Sequence, residues 1–536
     1  MSKKPWRDVN AIYQIYPRSF YDSNGDGVGD IEGVIAKLDY LKSKDDSLGI
    51  DAIWFSPMFP SPQKDCGYDV SDYRGVDPIF GDMNSLKRLL DEAHARDIKV
   101  LLDYVPNHSS DQHEWFKEAS SSRDNSKRDY YVWRDAKPDG SVPTNWLSMS
   151  GGSTWTWHEP TQQYYLHSFL PSQPDLNWDN PVLREEMLNV LRYWMDMGVD
   201  GFRADAVWPI SKNFEAGDNP MNPEFYGGDD NFGSYIHANS RGGPNLHKYL
   251  RMMTDVVAEY ENRFIVFEFY PDDRFGSRLD QYFKMQDINP GYASTFFFEG
   301  FQLQWWARQF QGSFDAMFSK YYKDLPVATL GNHDQMRIAS KFGMAQAKAL
   351  AVMELTLPGV PSVYYGEELG MLDVEIKPED AFDRFAGGAG LDARDKYRTP
   401  MRWDNSKYAG FSTVKPWLPV GPHKEWMNVE AQQKTDHSFL KMYQKLLRLR
   451  SEEPTIRYGS YDNWRETSDE IMTFRRSLDG KEFYTVVNFT DYSIDLDLPK
   501  PGRVICSTNT HKEYDIDSTK MTIHPFEAVV VRAKNS

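Results

Sequence analysis

Eight short apolar runs separated by helical patterns constrain the fold of this 536-residue chain more than any other feature. Strands that alternate with helices form parallel βα units, and eight such units are typical of a closed (β/α)8 TIM barrel. A doubly wound open sheet is the alternative, but no glycine-rich phosphate loop follows the first run. We therefore predict an α/β barrel whose strands are residues 11–16, 52–55, 98–103, 201–205, 264–268, 293–298, 327–330 and 362–365.

The uneven spacing of these runs predicts insertions. Residues 105–175 contain no clear βα unit, which predicts an inserted subdomain B after the third strand and divides the barrel into 1–104 and 176–455. Within the second part, residues 207–245 read as a long loop and residues 370–435 as an irregular excursion. Insertions on the strand-to-helix side of a barrel lie where such a fold builds its active site.

The pattern changes to short strands and polar turns after the helix at 438–450. This change predicts a C-terminal antiparallel β-domain over residues 456–536. Its predicted strands are 471–478, 482–489, 493–498, 503–507 and 521–532.

Composition narrows the class of partner. The net charge of −18 argues against nucleic acid or an anionic membrane as the main partner. Cys66 and Cys506 lie too far apart in the sequence to form a motif, so we predict free thiols. The sequence has no run of about 18 apolar residues and no apolar segment after its N-terminal charges. We therefore expect a cytoplasmic protein with no membrane partner.

The segment 201–205, Gly-Phe-Arg-Ala-Asp, follows an amphipathic helix that Gly198 ends. Because strand residues alternate in direction, Arg203 and Asp205 point to the same side. A neighbouring guanidinium lowers the pKa of a carboxyl group, and an ionised, oriented carboxylate is what a covalent nucleophile requires. Taken alone, however, the pair favours the simpler interpretation of a structural ion pair.

Two further acids, Glu268 and Asp334, stand at or just after predicted strand ends, where a barrel gathers distant residues around one cavity. Glycosidic bond cleavage needs two carboxyl groups of different pKa. Asp205 suits the ionised group. Glu268, between Phe267 and Phe269, suits a protonated acid because desolvation disfavours its charged form. The alternative for Glu268 is a surface glutamate at a strand end.

Two histidines follow strands of the same predicted barrel. His108 comes after the third strand and His333 after the seventh, next to Asp334. Taken singly, each favours a hydrogen-bonded structural histidine. The joint pattern of acids and histidines at strand ends is more specific than any one member.

These residues occur in ordered motifs that resemble the signature regions of the α-amylase family, glycoside hydrolase family 13. Residues 173–177, Gln-Pro-Asp-Leu-Asn, are similar to a region typical of its oligo-1,6-glucosidase and α-glucosidase branch. The resemblance covers almost the whole chain. The other matching positions are 67–69, 103–108, 201–205, Glu268, 332–334, 365–370 and 398–401.

The resemblance implies that Asp205 is the nucleophile, Glu268 the general acid/base and Asp334 a third catalytic acid that hydrogen-bonds the sugar hydroxyls. It implies a retaining reaction through a covalent glycosyl-enzyme, for which the two reacting carboxyl groups lie about 5–5.5 Å apart. Phe267 replaces the glycine that usually precedes the acid in this family. Ala206, after the nucleophile, resembles members that prefer α-1,4 linkages.

The resemblance also implies a pocket for one terminal glucose. Asp69 and Arg398 would grip the far end of that glucose and restrict attack to chain ends or short oligomers. The other residues expected to line the pocket are His108, Arg203 and His333, with Tyr68 as a stacking platform.

Residues 22–30, Asp-Ser-Asn-Gly-Asp-Gly-Val-Gly-Asp, predict a metal loop because oxygen ligands alternate with glycines. The final glutamate of an EF-hand is missing, and the alternative is a polar loop without metal. The resemblance implies a structural Ca²⁺, with Mg²⁺ as the other candidate. Its ligands would be Asp22, Asn24, Asp26, the Val28 carbonyl and Asp30.

The implied function is an exo-acting retaining α-glucosidase that hydrolyses short α-glucosides and leans to α-1,4, maltose-type linkages. The competing hypothesis is an α-glucosyl transferase or sucrose isomerase, in which a sugar hydroxyl replaces water. A third is a non-catalytic relative, such as the ectodomains that partner amino-acid transporters, which lack the acids and carry a membrane helix. The expected partner is a small oligosaccharide or α-glucoside, and the sequence leaves monomer and homo-oligomer open.

Overall fold

The computed structural model describes residues 6–44, 46–227, 231–270, 288, 291–298, 300, 303–321, 327–383, 393–510 and 512–534. Its first eleven strands are β1 (Ile12–Ile15), β2 (Ala52–Phe55), β3 (Lys99–Tyr104), β4 (Trp133–Arg134), β5 (Trp155–His158), β6 (Gln163–Leu166), β7 (Gly201–Ala204), β8 (Phe264–Phe267), β9 (Ala293–Phe297), β10 (Val327–Thr329) and β11 (Val360–Tyr364). Eight of them form a closed parallel barrel in the order β1-β2-β3-β7-β8-β9-β10-β11, with β11 paired to β1. All eight predicted barrel strands are therefore confirmed.

Helices connect the barrel strands and cover its outer face. They are α1 (Ile31–Ala36), α2 (Leu38–Leu41), α3 (Met83–Ala95), α4 (Glu114–Ser121), α5 (Pro181–Asp196), α6 (Leu246–Ala258), α7 (Ala307–Tyr321), α8 (Ile338–Phe342), α9 (Met344–Thr356), α10 (Val429–Gln433), α11 (Phe439–Glu452) and α12 (Pro454–Tyr458). None of the helices in the described ranges is long and apolar enough to cross a membrane.

Helix α5 shows how the sequence positions β7. The Asn180 side chain accepts hydrogen bonds from the first backbone N–H groups of the helix, where Pro181 needs none. After the helix ends, Gly198 takes a φ of 105°, a left-handed conformation that favours glycine. The chain then reverses and enters β7 at Gly201.

Gly201 allows β7 to approach β8 closely. A Cβ at this position would lie 2.2 Å from the carbonyl oxygen of Phe264, which is nearer than any side chain can sit. Asp205 follows β7 directly, and Glu268 follows β8 directly. Since parallel strands end at the same face, this contact sets the spacing of the two acids.

An inserted subdomain lies between β3 and α5, as predicted. Its strands form a three-stranded antiparallel sheet in the order β4-β6-β5. The returning segment 173–177 lies against the chain that leaves β3, because Leu176 N donates to the Asn107 carbonyl at 2.8 Å and Asp175 bridges to His108. The subdomain thereby holds His108 beside the barrel strand ends.

The C-terminal domain is an antiparallel β-structure, as predicted. A six-stranded sheet has the order β12-β13-β14-β19-β16-β17, and a two-stranded sheet pairs β15 with β18. The strands are β12 (Ser460–Asp462), β13 (Ile471–Leu478), β14 (Lys481–Asn488), β15 (Ile494–Asp497), β16 (Gly502–Ser507), β17 (Tyr514–Ile516), β18 (Lys520–Ile523) and β19 (Ala528–Ala533).

The last predicted strand, 521–532, is wrong as a single element. It is divided into β18 and β19, which belong to different sheets. Pro525 lacks a backbone donor, and Phe526 has a φ of 54°, so the chain leaves one sheet and enters the other between them.

Candidate active site

A cavity of about 270 Å³ opens at the C-terminal ends of the barrel strands. It is lined by all three predicted acids and by Tyr68 and His108. Two larger grooves, of about 550 and 470 Å³, lie against the C-terminal domain and are lined by other residues. The rest of the cavity wall comprises Asp65, Met149, Phe169, Ala206, Trp208, Arg241, Tyr270, Gln335 and Arg394.

Arg203 lies among three buried carboxyl groups. Its Nη1 atom donates to Asp205 Oδ1 and to Asp103 Oδ1, both at 2.7 Å. Its Nη2 atom lies 2.9 Å from Glu268 Oε1. The Arg203 side chain is fully buried, so water does not screen these ion pairs. The predicted pair of Arg203 and Asp205 is therefore part of a larger cluster in which one positive charge faces three acids.

The pKa that we expected for Asp205 is wrong in direction. The expectation was that Arg203 holds the pKa of Asp205 low, but burial raises that pKa well above its usual value. Arg203 opposes the rise, while the charges of Glu268 and Asp103 add to it. Asp205 and Asp103 therefore keep their protons to a higher pH than isolated carboxyl groups do, because burial raises the pKa of both.

Glu268 is held by polar groups rather than by its apolar neighbours. Its Oε2 atom accepts a hydrogen bond from the backbone N of Ala206 at 2.8 Å. Ala206 has a φ of 41°, which is unusual for a residue other than glycine and directs this N–H toward the acid. Phe267 and Phe269 pack in the main hydrophobic core and not in the cavity wall. Phe267 and Phe269 therefore do not face the cavity beside the buried Glu268 carboxyl group.

Asp334 faces the cavity as an ionised acid. Its Oδ1 atom accepts from Arg398 Nη2 at 2.7 Å and from Arg394 Nη1 at 3.0 Å, and His333 Nε2 lies 3.3 Å from Oδ2. Burial disfavours the charged form, yet these partners hold the pKa of Asp334 well below its usual range.

Both predicted histidines are neutral groups. Burial lowers the pKa of His108 to about 4 and the pKa of His333 well below its ordinary value. Gln14 Nε2 donates to His333 Nδ1 at 2.7 Å, which assigns the imidazole proton to Nε2, 2.7 Å from the Tyr68 hydroxyl. The Tyr68 and His333 rings stack with centroids 5.4 Å apart.

Asp69 and Arg398, which were predicted to bind the far end of the glucose, do not line the cavity. The buried Asp69 carboxylate accepts hydrogen bonds from Ser61 Oγ and from the backbone N atoms of Lys64 and Asp65, at 2.8 to 3.0 Å. It therefore stabilises its own loop and does not line the cavity.

Arg398 binds the carboxyl group of Asp334 and does not face the cavity. It donates to Asp334, as above, and through Nε to the His333 carbonyl at 2.8 Å. Its side chain is fully buried, so it positions the His333–Asp334 segment from behind the cavity wall.

Sequence reasoning missed Asp65 and Arg394, which form an ion pair in the cavity wall. Arg394 Nη2 donates to Asp65 Oδ1 at 2.6 Å. Asp383 supports Arg394 from the other side through two hydrogen bonds of 2.8 Å. Each missed residue lies four positions before the residue chosen from sequence, Asp65 before Asp69 and Arg394 before Arg398. The sequence motifs therefore located the two loops correctly, but they did not identify Asp65 and Arg394 as the residues that reach the cavity.

The predicted metal loop at 22–30 is tied by hydrogen bonds of its own. Asp22 accepts from the backbone N atoms of Gly25 and Gly27, and Asp30 caps α1 by accepting from Gly33 N. Carboxylates have further acceptor positions, so the oxygen chemistry suits Ca²⁺. In the described part of the chain, no group of three or more His, Cys, Asp or Glu side chains is placed to hold a metal ion, so the oxygen donors of Asn24 and the Val28 carbonyl would have to contribute.

Comparison with known proteins identifies one family over the length of the chain. The model of the alpha amylase catalytic domain matches residues 14–459. The oligo-1,6-glucosidase of Parageobacillus thermoglucosidasius is 36% identical over 586 aligned positions, covering 100% of both chains. The alpha-glucosidase of Apis mellifera is 37% identical over 505 positions, covering 91% of this chain and 86% of its own.

Solved structures agree with the sequence comparison. The crystal structure of a trehalulose synthase from Pseudomonas mesoacidophila MX-45 superposes with a TM-score of 0.87 at 34% identity, covering 99% of each chain. The barrel, the acids at its strand ends and these matches lead to one assignment. The chain is a glycoside hydrolase that belongs to the α-amylase family, glycoside hydrolase family 13, with relatives among the oligo-1,6-glucosidases and α-glucosidases.

Proposed function

We propose that this enzyme is an exo-acting, retaining α-glucosidase that hydrolyses short α-glucosides. The observation that carries the proposal is the pair of acids Asp205 and Glu268, both bound to Arg203 and both lining one cavity with Asp334. Two carboxyl groups that face one cavity are what glycosidic bond cleavage requires.

In the proposed reaction, the Asp205 carboxylate attacks the anomeric carbon, and the bond from that carbon to the leaving oxygen breaks. Glu268 gives its proton to the leaving oxygen and becomes a carboxylate. That carboxylate then takes a proton from water, whose oxygen displaces Asp205 from the anomeric carbon. Two inversions give a product of α configuration.

The surrounding groups support this reaction by holding the sugar. Asp334 is an ionised acceptor for sugar hydroxyl groups, while His108 and His333 are neutral groups that can hydrogen-bond without adding charge. Tyr68, stacked on His333, offers a flat surface for the sugar ring.

We propose that Asp65 and Arg394 bind the hydroxyl groups at the far end of the terminal glucose. They take the role that the sequence motifs gave to Asp69 and Arg398. Asp65 is held in place by Arg394 and by Gln173 Nε2 at 2.9 Å. An ion pair in the cavity wall can bind sugar hydroxyl groups through both partners. It would also close the pocket beyond one glucose and restrict attack to chain ends.

A second candidate function is α-glucosyl transfer or sucrose isomerisation. The observation that favours it is the similarity to a trehalulose synthase over 99% of the chain. Ala206 in the cavity wall bears on linkage and not on the acceptor, because it resembles members that prefer α-1,4 linkages. Product analysis at high maltose and high sucrose separates the two. Free glucose as the main product supports hydrolysis, and transfer products or sucrose isomers support the second candidate.

The test of the proposed mechanism is the anomeric form of the first product. Proton NMR during cleavage of p-nitrophenyl α-glucoside, which releases a single glucose, should show α-glucose before mutarotation. Asp205→Asn should lose turnover while its circular dichroism spectrum stays that of the wild type. Initial β-glucose, or an Asp205→Asn variant with near-wild-type turnover, contradicts the proposal.

Two further assignments belong to this proposal. We propose a structural Ca²⁺ at residues 22–30, held by Asp22, Asn24, Asp26, the Val28 carbonyl and Asp30, with a role in stability rather than in the reaction. The support is the alternation of oxygen donors with glycines. We also propose a cytoplasmic location, which agrees with two free, buried cysteines, Cys66 and Cys506.

A further inference from the structure

The groove of about 470 Å³ beside the C-terminal domain takes no part in the proposed reaction. Residues of α9, α11 and Trp426 line it from the catalytic part of the chain, and Asn509 and Phe526 line it from the C-terminal domain. Among the residues that the structure describes, none lines both this groove and the catalytic cavity. Small-molecule sites have volumes of about 300–1,000 Å³, so this groove is large enough for a ligand of its own.

Trp426 gives the groove an accessible aromatic surface. It remains 47% exposed although it lies between two packed parts of the chain. The half-buried Phe526 lines the same groove from the C-terminal domain. A tryptophan side chain combines a flat apolar face with a polar N–H group. Such a face suits the apolar C–H side of a sugar ring.

The hydrogen-bonding groups around this aromatic surface are mostly neutral. Thr435 and Asn509 line the groove and are exposed. No arginine, aspartate or glutamate lines it in the described ranges of the chain, and Lys348 is its one lysine. Lys348 Nζ donates to the His437 carbonyl at 3.4 Å. Because an ammonium group has three donors, Lys348 can also donate to a ligand hydroxyl.

The neighbouring groove of about 550 Å³ has the opposite chemistry. Charged side chains of both signs line it, and some of them already form ion pairs, such as Lys445 Nζ with Glu513 Oε1 at 3.2 Å. A neutral ligand would displace water from these charges without replacing its hydrogen bonds fully. The other charged residues that line it include Lys441, Arg448, Glu452 and Arg532. A neutral ligand therefore suits the groove at Trp426 and not this one.

We propose that the groove at Trp426 is a second saccharide-binding site, which holds a short neutral α-glucoside by stacking one glucose ring on Trp426. The hydroxyl groups of the sugar would bond Asn509 and Lys348. An apolar ligand would cover these two polar groups without bonding them, and an ionic ligand would meet at most one opposite charge.

The site would join the two parts of the chain. His437 Nε2 donates to the Thr508 carbonyl at 2.9 Å, so the catalytic part and the C-terminal domain are already bonded at the groove. A sugar stacked on Trp426 and bonded to Asn509 would add a second link. The site requires only affinity for a neutral sugar, so it does not rest on the reaction proposed above.

The experiment observes the groove directly, by fluorine NMR of enzyme labelled with 5-fluorotryptophan. The Trp426 resonance is the one that is absent from Trp426→Phe, and the Trp306 resonance is the one that is absent from Trp306→Phe. Maltotriose is then titrated into Asp205→Asn, which should not consume it. The Trp426 resonance should shift and saturate with a Kd on the order of 1 mM, as expected for one stacked ring with few hydrogen bonds.

Trp306 is the matched control, because it is 60% exposed and does not line the groove. Its resonance should stay in place. Asn509→Ala should raise the Kd read from Trp426 about 2- to 10-fold through the loss of one neutral hydrogen bond. A Trp426 resonance that stays in place, or that drifts together with that of Trp306 without saturating, overturns the inference. A Kd that Asn509→Ala leaves unchanged also overturns it.

This test is separate from that of the proposed function. Maltotriose in the catalytic cavity does not produce the expected signal, because Trp426 does not line that cavity. Trp426→Ala should leave kcat/KM for p-nitrophenyl α-glucoside at the wild-type value. A wild-type protein without glucosidase activity contradicts the proposed function, whereas an active enzyme with an unmoved Trp426 resonance contradicts only the second site.

Discussion

Replacing Asp65 by asparagine should weaken catalysis on glucosides far more than it weakens the fold. Asp65 faces the cavity and binds Arg394 Nη2 at 2.6 Å. Arg394 would stay balanced after the change, because Asp383 bonds it twice and Asp334 once. The variant keeps the shape of the side chain and removes its charge.

The size of the expected effect follows from the strength of one hydrogen bond between the Asp65 carboxylate and a sugar hydroxyl group. A hydrogen bond to a charged group contributes about 1.5–3 kcal/mol. If Asp65 makes one such bond to the sugar, its loss lowers kcat/KM about 10- to 150-fold, at about 1.4 kcal/mol for each factor of ten. The free energy of unfolding should change less than kcat/KM, since the other partners of Arg394 remain.

Asp69→Asn is the control, because the sequence alone predicts that Asp69 binds the far end of the terminal glucose. Its amide would leave the partly buried backbone N–H of Lys64 without its acceptor, at a cost of about 1 kcal/mol in the free energy of unfolding. The folded variant should keep kcat/KM close to that of the wild type. The assays are steady-state kinetics with p-nitrophenyl α-glucoside and urea unfolding. A large kinetic defect in Asp69→Asn with none in Asp65→Asn would refute the reasoning.

Burial raises the pKa of Asp65 to about 6, so protonation below that pH removes the charge of this side chain. Measurements of initial rates should therefore show that KM rises as the pH falls through 6 in the wild type, whereas KM in Asp65→Asn should not. Gly201→Ala should lower the free energy of unfolding by about 3 kcal/mol or more, because its Cβ would meet the Phe264 carbonyl. Gly198→Ala, whose Cβ would make only an ordinary contact with Leu90 but would be strained by the positive φ, should cost about 1 kcal/mol in the same unfolding assay. Ca²⁺ should raise the Tm relative to EDTA, and Asp26→Ala should remove that difference; equal Tm values in wild type would exclude the metal loop.

The barrel could be predicted from sequence because its strands are short, apolar and separated by amphipathic helices. Each of these patterns reports burial, and burial is what the closed barrel imposes on its strands. The single strand proposed for 521–532 failed because apolar residues continue across Pro525 and Phe526. Only the missing donor and the left-handed φ reveal that the chain changes sheets there.

The site was found as a set of motifs, but its internal contacts were not. Cys66 and Gly67 take φ values of 51° and 107°, so the chain turns sharply between Asp65 and Tyr68. No strand or helix period applies inside such a turn, and sequence spacing could not tell whether Asp65 or Asp69 reaches the cavity. The pKa of Asp205 was misjudged for a related reason. The sequence places one arginine beside one acid, whereas the fold buries Asp205, which raises its pKa, and brings two more acids to the same guanidinium.

The central claim is that Asp205 becomes covalently bound to glucose during the reaction. The most direct measurement is mass spectrometry of peptides from enzyme incubated with 5-fluoro-α-glucosyl fluoride, a substrate designed to slow release of the glycosyl-enzyme. We expect a fluoroglucosyl group on the peptide that contains Asp205, and none on Asp205→Asn. A label on Glu268 or Asp334, or an unlabelled enzyme that releases β-configured product, would contradict it.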